Sequence, residues 1–337
     1  MKKFLATAIA LTIGAAACVF TACTGENDDG TYTVYAPDGA PALALANAVN
    51  EDDDRYDFRI VASNAITAQV QGEEPAADFC ILPVNVAAKL LGKGETYQML
   101  GTVTNGNMYL LTTGDNPGIT TDNLSTLVGK TVGVVQLNNV PGLTFQAVLS
   151  RNDIDYQILG NDVEAASDKV NLQAFADAST VTPASGCDYY LCPEPAATGK
   201  INGTASSANP FKLAGSLQTL YDGENGYPQA VLVAKTSVIE EAKSVVDTFI
   251  TYMEGSADFL ASASAADVVA LLEDCYTEGM TPSLNANNLN ATVIANCSVY
   301  FTAAQDCKSR VNAFLAELID LNAEFTSAVS DSFYYAG

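Results

Sequence analysis

The chain has no histidine and no tryptophan. The first absence removes Ser-His-Asp and Cys-His catalysis, and imidazole metal sites with them. The second leaves any aromatic stacking to tyrosine and phenylalanine. Positive charge is scarce. Against 39 Asp and Glu stand 15 Lys and Arg, a formal net charge of −24, and the guanidinium groups are those of Arg55, Arg59, Arg151 and Arg310 alone. Nucleic acid, which calls for a basic face, is thereby excluded as a partner. Long apolar runs are missing beyond the N-terminal region. The longest late candidate, residues 265–272, is interrupted by Asp267 and falls far short of the roughly 20 residues a membrane span needs. Hydrophobic residues still make up 48% of the chain, enough for two domains of ordinary size.

The N-terminal region reads as an export signal. Met1-Lys2-Lys3 is its charged start, and residues 4–17 are almost wholly apolar or small. The run ends in Phe20-Thr21-Ala22-Cys23, which resembles the lipobox of bacterial lipoproteins, where the cysteine is acylated and becomes the new N-terminus. Phe20 stands where Leu is usual, and Ala15-Ala16-Ala17-Cys18 is a competing site. Cys23 is favoured because the polar stretch 24–30 begins abruptly after it, as a tether would. The expectation is a signal peptide over 1–23 and a membrane anchor on Cys23. Six cysteines remain: Cys80, Cys187, Cys192, Cys275, Cys297 and Cys307. In an exported chain they permit disulfides, with Cys187–Cys192 and Cys297–Cys307 the nearest pairs. Some disulfides and a buried free Cys80 are expected. A thiolate zinc site is the rival reading. No cofactor is expected.

From Thr31 onward, strand and helix signals alternate. Strands are expected at 32–35, 56–61, 78–82, 108–111, 131–135, 156–159, 188–192 and 229–234. Helices are expected at 42–49, 65–71, 86–91 and 143–150. The remainder is read as largely helical, with an apolar stripe at Val311, Phe314, Leu315, Leu318 and Phe325. This order argues for an α/β chain. Gly114–Gly118 is a plausible crossing between two units, and residues 221–227 a return. The expected division is 31–113 with 228–337 in one lobe and 114–227 in the other. Two crossings between lobes leave a cleft and a natural hinge.

Several segments carry a resemblance. Tyr35-Ala36-Pro37-Asp38-Gly39-Ala40-Pro41-Ala42-Leu43-Ala44, residues 72–85 ending in Ile81-Leu82-Pro83-Val84-Asn85, Leu127-Val128-Gly129-Lys130-Thr131-Val132-Gly133-Val134, and Asp188-Tyr189-Tyr190-Leu191-Cys192-Pro193-Glu194-Pro195-Ala196 resemble type II periplasmic-binding-fold proteins. The likeness is to the nitrate/sulfonate/taurine and thiamine-precursor group of ABC substrate-binding proteins. It implies a two-lobed α/β fold with a central cleft and two hinge crossings, and a small-molecule ligand gripped by loops that follow the strands. Such loops offer unpaired backbone N–H groups, so a carboxylate or carbonyl oxygen can be held there without arginine.

Four loops are the candidates. The first is Asp38, Gly39, Ala40 and Pro41, with Asp38 either accepting from a ligand or capping a helix. The second is Ser63 and Asn64, again ligand contacts or N-caps. The third is Pro83, Val84 and Asn85. The fourth holds Asn138, Asn139, Val140, Pro141, Gly142 and Thr144, where the asparagines offer donor and acceptor alike or serve as plain turn residues. Glu194, stiffened between two prolines, is a further candidate. Asn105, Asn107 and Tyr227 are hinge-side candidates, Tyr227 for stacking on a flat ligand. None of these loops contains Arg or Lys, which favours a neutral or zwitterionic solute. The resulting expectation is a monomeric, lipid-anchored binding protein that serves an ABC permease. A cleft enzyme using Asp38 and Glu194 as an acid–base pair, like the menaquinone-pathway enzymes of this fold, and a transporter-independent surface sensor are the alternatives.

Overall fold

The structure is a computed structural model that describes residues 30–223 and 225–337. Cys18, Cys23 and residues 24–29 of the tether lie outside the described residues. The β-rich runs become strands β1 Tyr32–Pro37, β2 Tyr56–Val61, β3 Phe79–Pro83, β4 Tyr97–Thr104, β5 Met108–Thr112, β6 Thr131–Val135, β7 Tyr156–Ile158, β8 Val170–Phe175, β9 Tyr189–Pro193, β10 Lys212–Ser216, β11 Ala230–Lys235 and β12 Val299–Ala303. They form two six-stranded sheets, in the orders β12-β4-β11-β3-β1-β2 and β10-β5-β9-β6-β8-β7. In the first, β1 runs parallel to β2 and β3, while β11 lies antiparallel between β3 and β4. In the second, β6 is parallel to β8 and β9, and β5 is antiparallel to β9. β3 is buried from Phe79 to Leu82, as an apolar run in a covered strand should be.

The strands also sort the cores. Along β5, Met108 and Leu110 join a cluster that runs through both sheets. Tyr109 and Leu111, pointing the other way, join a smaller one with Val135, Tyr190, Cys192 and Ala197. The helix Ala304–Asn322 buries Val311, Phe314, Leu315 and Leu318, and Phe325 of the expected stripe lies past its end. At 1.5 Å per residue its 19 residues reach about 28 Å, from the first lobe onto the second.

Several expectations are corrected. The first crossing is not Gly114–Gly118. β5 pairs with β9 in the second sheet, so the chain crosses at Asn105-Gly106-Asn107. Helix 65–71 is a 3-10 turn over Ile66–Val70, and helix 42–49 is two short helices, Ala40–Ala44 and Ala46–Asn50. The C-terminal region also holds β12 and an irregular segment, 277–290.

All six described cysteines are free thiols. The reason is extension. The five residues of β12 alone add about 17 Å between Cys297 and Cys307, and extended β9 likewise carries Cys192 away from Cys187. Bridgeable Cα atoms lie within roughly 7 Å. Cys80 is fully buried in β3, as expected.

Candidate functional site

The crossing is three residues long, and three residues span at most about 11 Å. It leaves the end of β4 and enters the start of β5. β4 ends beside Ala230, which also pairs with Pro83 of β3. β5 begins beside Pro193 of β9. The carboxyl ends of the parallel strands of both sheets therefore meet at one junction. Turns that begin at Asp38, Ala62, Pro83, Gln136 and Glu194 all border it.

The crossings are pinned by amides. Asn107 receives Gln229 Nε2 on its Oδ1 at 2.6 Å, and its Nδ2 donates to the Glu194 carbonyl at 2.9 Å. Asn105 accepts from Arg310 Nη1 at 3.0 Å. Gly226 has φ 60°, and a Cβ there would fall 2.1 Å from the Asn105 carbonyl oxygen. Tyr227 is fully buried, stacked on Phe314 with ring centroids 5.9 Å apart and edge-on to Tyr221 at 5.7 Å. It fills the hinge core and presents no face to a ligand.

Asp38 neither caps a helix nor stands free. Its Oδ1 accepts from Tyr276 Oη at 2.8 Å and Ser283 Oγ at 2.9 Å, and its Oδ2 from Ser283 N at 2.9 Å. Burial and the Asp38 charge both raise the Tyr276 pKa. Gly39 has φ 101° and begins the helix without a side-chain cap. Ala40 is buried behind it, and Pro41 sits in the first turn. Ser63 and Asn64 are exposed, and the cap of the following 3-10 turn is Ala65. Asn85 is buried, with Nδ2 donating to the Phe325 carbonyl at 3.0 Å.

In the second lobe, Asn138 is exposed. Asn139 starts helix Val140–Arg151 with its Oδ1 accepting from Val140 N at 2.9 Å. Val140, Gly142 and Thr144 are buried within that helix. A Cβ on Gly142 would lie 2.0 Å from the Leu137 carbonyl oxygen, so only glycine lets the turn fold back on the helix. Glu194 is 3% exposed. Its carboxylate accepts from Thr198 N at 2.9 Å, Thr198 Oγ1 at 2.7 Å and, from the first lobe, Asn296 Nδ2 at 3.4 Å. Tyr109 Oη donates to the Asn296 carbonyl at 3.2 Å, and burial pushes its phenol up to about 12.

The junction thus brings together the Asp38, Ser63–Asn64, Asn138–Asn139 and Glu194 turns. It keeps Tyr227, Asn85, Val140, Gly142 and Thr144 inside the protein. Sequence reasoning missed Tyr276, Ser283, Asn288 and Asn296, which form the first lobe's lip. The run Asn285-Ala-Asn-Asn-Leu-Asn290 is the signal that pointed there. Among the described residues, no group of three or more Cys, Asp or Glu is arranged to hold a metal ion. Asp38 and Glu194 each accept three hydrogen bonds from protein groups.

No protein-family model and no curated protein sequence matches the chain. Solved structures do. An ABC transporter protein from Parabacteroides distasonis is 16% identical, with a TM-score of 0.66, 91% of this chain and 99% of that one covered. The zinc-bound ligand-binding component of an ABC-type import system from Staphylococcus aureus is 9% identical, with a TM-score of 0.59 and 91% and 96% covered. The periplasmic aliphatic sulphonate binding protein of Escherichia coli is 12% identical, with a TM-score of 0.58 and 91% and 94% covered. The chain shares their two-lobed α/β fold.

Proposed function

We propose that the chain is an extracytoplasmic, lipid-anchored binding protein that holds a small neutral or zwitterionic organic molecule between its lobes and presents it to an ABC importer. The observation that carries this is the meeting of both sheets, strand end to strand end, across two pinned crossings, with polar turns at the rim. Fold likeness to importer components and the export-signal pattern support the setting.

Charge supports the ligand class. Arg55 pairs with Asp53, Arg59 with Asp57 and Arg151 with Glu317, and Arg310 is spent on Asn105 and the Asn225 carbonyl. No guanidinium is left for the junction. Lys200, on the nearby helix Ala196–Thr204, donates to the Val181 carbonyl at 2.6 Å, and burial lowers its pKa. An anion would therefore depend on backbone N–H groups and neutral side-chain donors such as those of Ser63, Asn64 and Asn138. The sulphonate preference of the Escherichia coli neighbour does not carry over at 12% identity.

The test is mass spectrometry of what co-purifies with the protein, followed by thermal shift with neutral and zwitterionic nitrogen compounds and with alkylsulfonates. A ligand at a hundred times its Kd should add about 2.7 kcal/mol. Stabilisation by sulfonates alone would refute the ligand class, and recovery of chemically altered compound would refute binding without catalysis.

A further inference from the structure

The segment between helices Ala265–Glu273 and Ala291–Asn296 has little regular structure, yet it is firmly held. It begins beside β2, where Ile60 N donates to the Cys275 carbonyl at 2.7 Å and Thr277 N to the Ile60 carbonyl at 3.0 Å. It then crosses the end of β1, where Asp38 receives its three hydrogen bonds from Tyr276 and Ser283. Leu284 and Leu289 are 3% and 5% exposed and root it in the core. Asn288 braces the loop from within. Its Nδ2 donates to the Ser283 carbonyl, and its Oδ1 accepts from Asn285 N at 3.0 Å. The far side of the loop approaches the other lobe. A Cβ placed on Gly199, in helix Ala196–Thr204, would lie 3.4 Å from Asn288 Cβ.

We propose that residues 276–290 are a strap that gates the junction, fastened to the first lobe by the Asp38 carboxylate and landing on the second lobe at Gly199. The asymmetry of its contacts sets the direction of movement. To the first lobe it has backbone pairing, three hydrogen bonds to one carboxylate and two buried leucines. To the second, among the described residues, it makes no hydrogen bond and only comes close, leaving room for about one methyl group between Gly199 and Asn288. The strap stays with the first lobe and lifts from the second. Asp38 is then a fastening and not a ligand group. What the gate encloses rests on the solute-binding reading, whereas its existence does not.

A cross-link tests it. The Cβ separation at Gly199 and Asn288 is close to the roughly 3.5–4.5 Å that a disulfide spans. In the full chain, the Gly199→Cys, Asn288→Cys double variant should lose two thiols on mild oxidation, while neither single variant does. In the oxidised form, amide exchange at the turns 63–66 and 136–139 should slow at least about ten-fold against the reduced form of the same protein. Independently, Asp38→Asn removes the carboxylate charge and sets an amide donor against the Ser283 backbone N–H that Oδ2 now receives. Exchange across 277–290 should rise by about ten-fold or more while β1 and β3 stay protected. Failure to cross-link in a folded double variant, equal exchange in its two forms, or an unchanged strap in Asp38→Asn would each overturn the proposal. No readout requires a solute, so failure of the gate and failure of the transport reading are distinguishable.

Discussion

Tyr227 offers a test of how tightly the crossings are closed. Its side chain is fully buried, and its hydroxyl has no hydrogen-bond partner. Burial holds the phenol well above its ordinary pKa, so the group is neutral. Tyr227→Phe removes that one oxygen and keeps the ring on Phe314. A buried hydroxyl without a partner costs about 1–3 kcal/mol. The void left by an oxygen costs under about 0.5 kcal/mol at ~24 cal/mol per Å³. The variant should therefore be more stable by about 0.5–2.5 kcal/mol. With an unfolding entropy of ~2.1 cal/mol/K per residue over ~310 residues, that is a rise in Tm of roughly 1–4 °C. Tyr227→Ala, which deletes the ring, should instead lose about 3–5 kcal/mol. Thermal and urea melts of both variants measure this, and solute affinity should be unchanged in Tyr227→Phe. A loss of more than about 1 kcal/mol in Tyr227→Phe would mean that the hydroxyl has a partner. The picture of a dry, closed hinge core would then be wrong.

Two further outcomes follow from the same geometry. Burial pushes the Cys187 and Cys275 thiols up to about 11 and Cys192 up to about 12, so at about pH 8 a thiolate fraction near 10⁻³ or lower makes alkylation of the native protein very slow. The unfolded chain of residues 30–337 should expose six thiols without reductant, and a count below six would restore a disulfide. Gly226→Ala should cost at least about 2 kcal/mol, since the added Cβ meets the Asn105 carbonyl at a left-handed position. A melt indistinguishable from the parent would show that the crossing is looser than described.

Much of the fold was legible because β-branched and aromatic runs such as Thr131–Val135 mark strands by themselves. β4 was harder, because Gly101 weakens its strand signal. That glycine is there for β12, since a Cβ on it would meet the Thr302 carbonyl at 2.4 Å and the Phe301 ring at 2.6 Å. Nothing local announces a partner strand two hundred residues away. β8 alternates over Val170-Asn-Leu-Gln-Ala174, a period of two that the sequence carries by itself. The site divided in the same way. Turns after strands were visible from Asp-Gly-Ala-Pro and Asn-Asn-Val-Pro-Gly. Their use was not, because the donors that occupy Asp38 come from Tyr276 and Ser283, 238 and 245 residues along the chain, and the Asn296 amide that joins the local Thr198 donors on Glu194 comes from 102 residues away.

Where the lobes pivot follows from which face of the second sheet each contact uses. Helix Ala304–Asn322 reaches the face that carries the continuous core. There Phe314 packs on Tyr221 and Tyr227, and Glu317 takes Arg151, whose guanidinium also lies 4.1 Å from the Tyr221 ring. The strap and Asn296 reach the other face, beside the smaller, separate cluster. Apolar packing resists separation, because every exposed Å² costs ~25 cal/mol. On the strap side the hydrogen bonds between the lobes are the two of Asn296, together about 1–3 kcal/mol. Opening on the strap side, about helix Ala304–Asn322, is the motion that breaks least. A micromolar ligand contributes about 8 kcal/mol of binding free energy. If most of that is gained only when both lobes engage it, it exceeds the difference between open and closed forms. On the proposed solute-binding reading, the weak side of the junction is therefore the side on which a guest, and not the protein's own contacts, would decide whether the lobes stay shut.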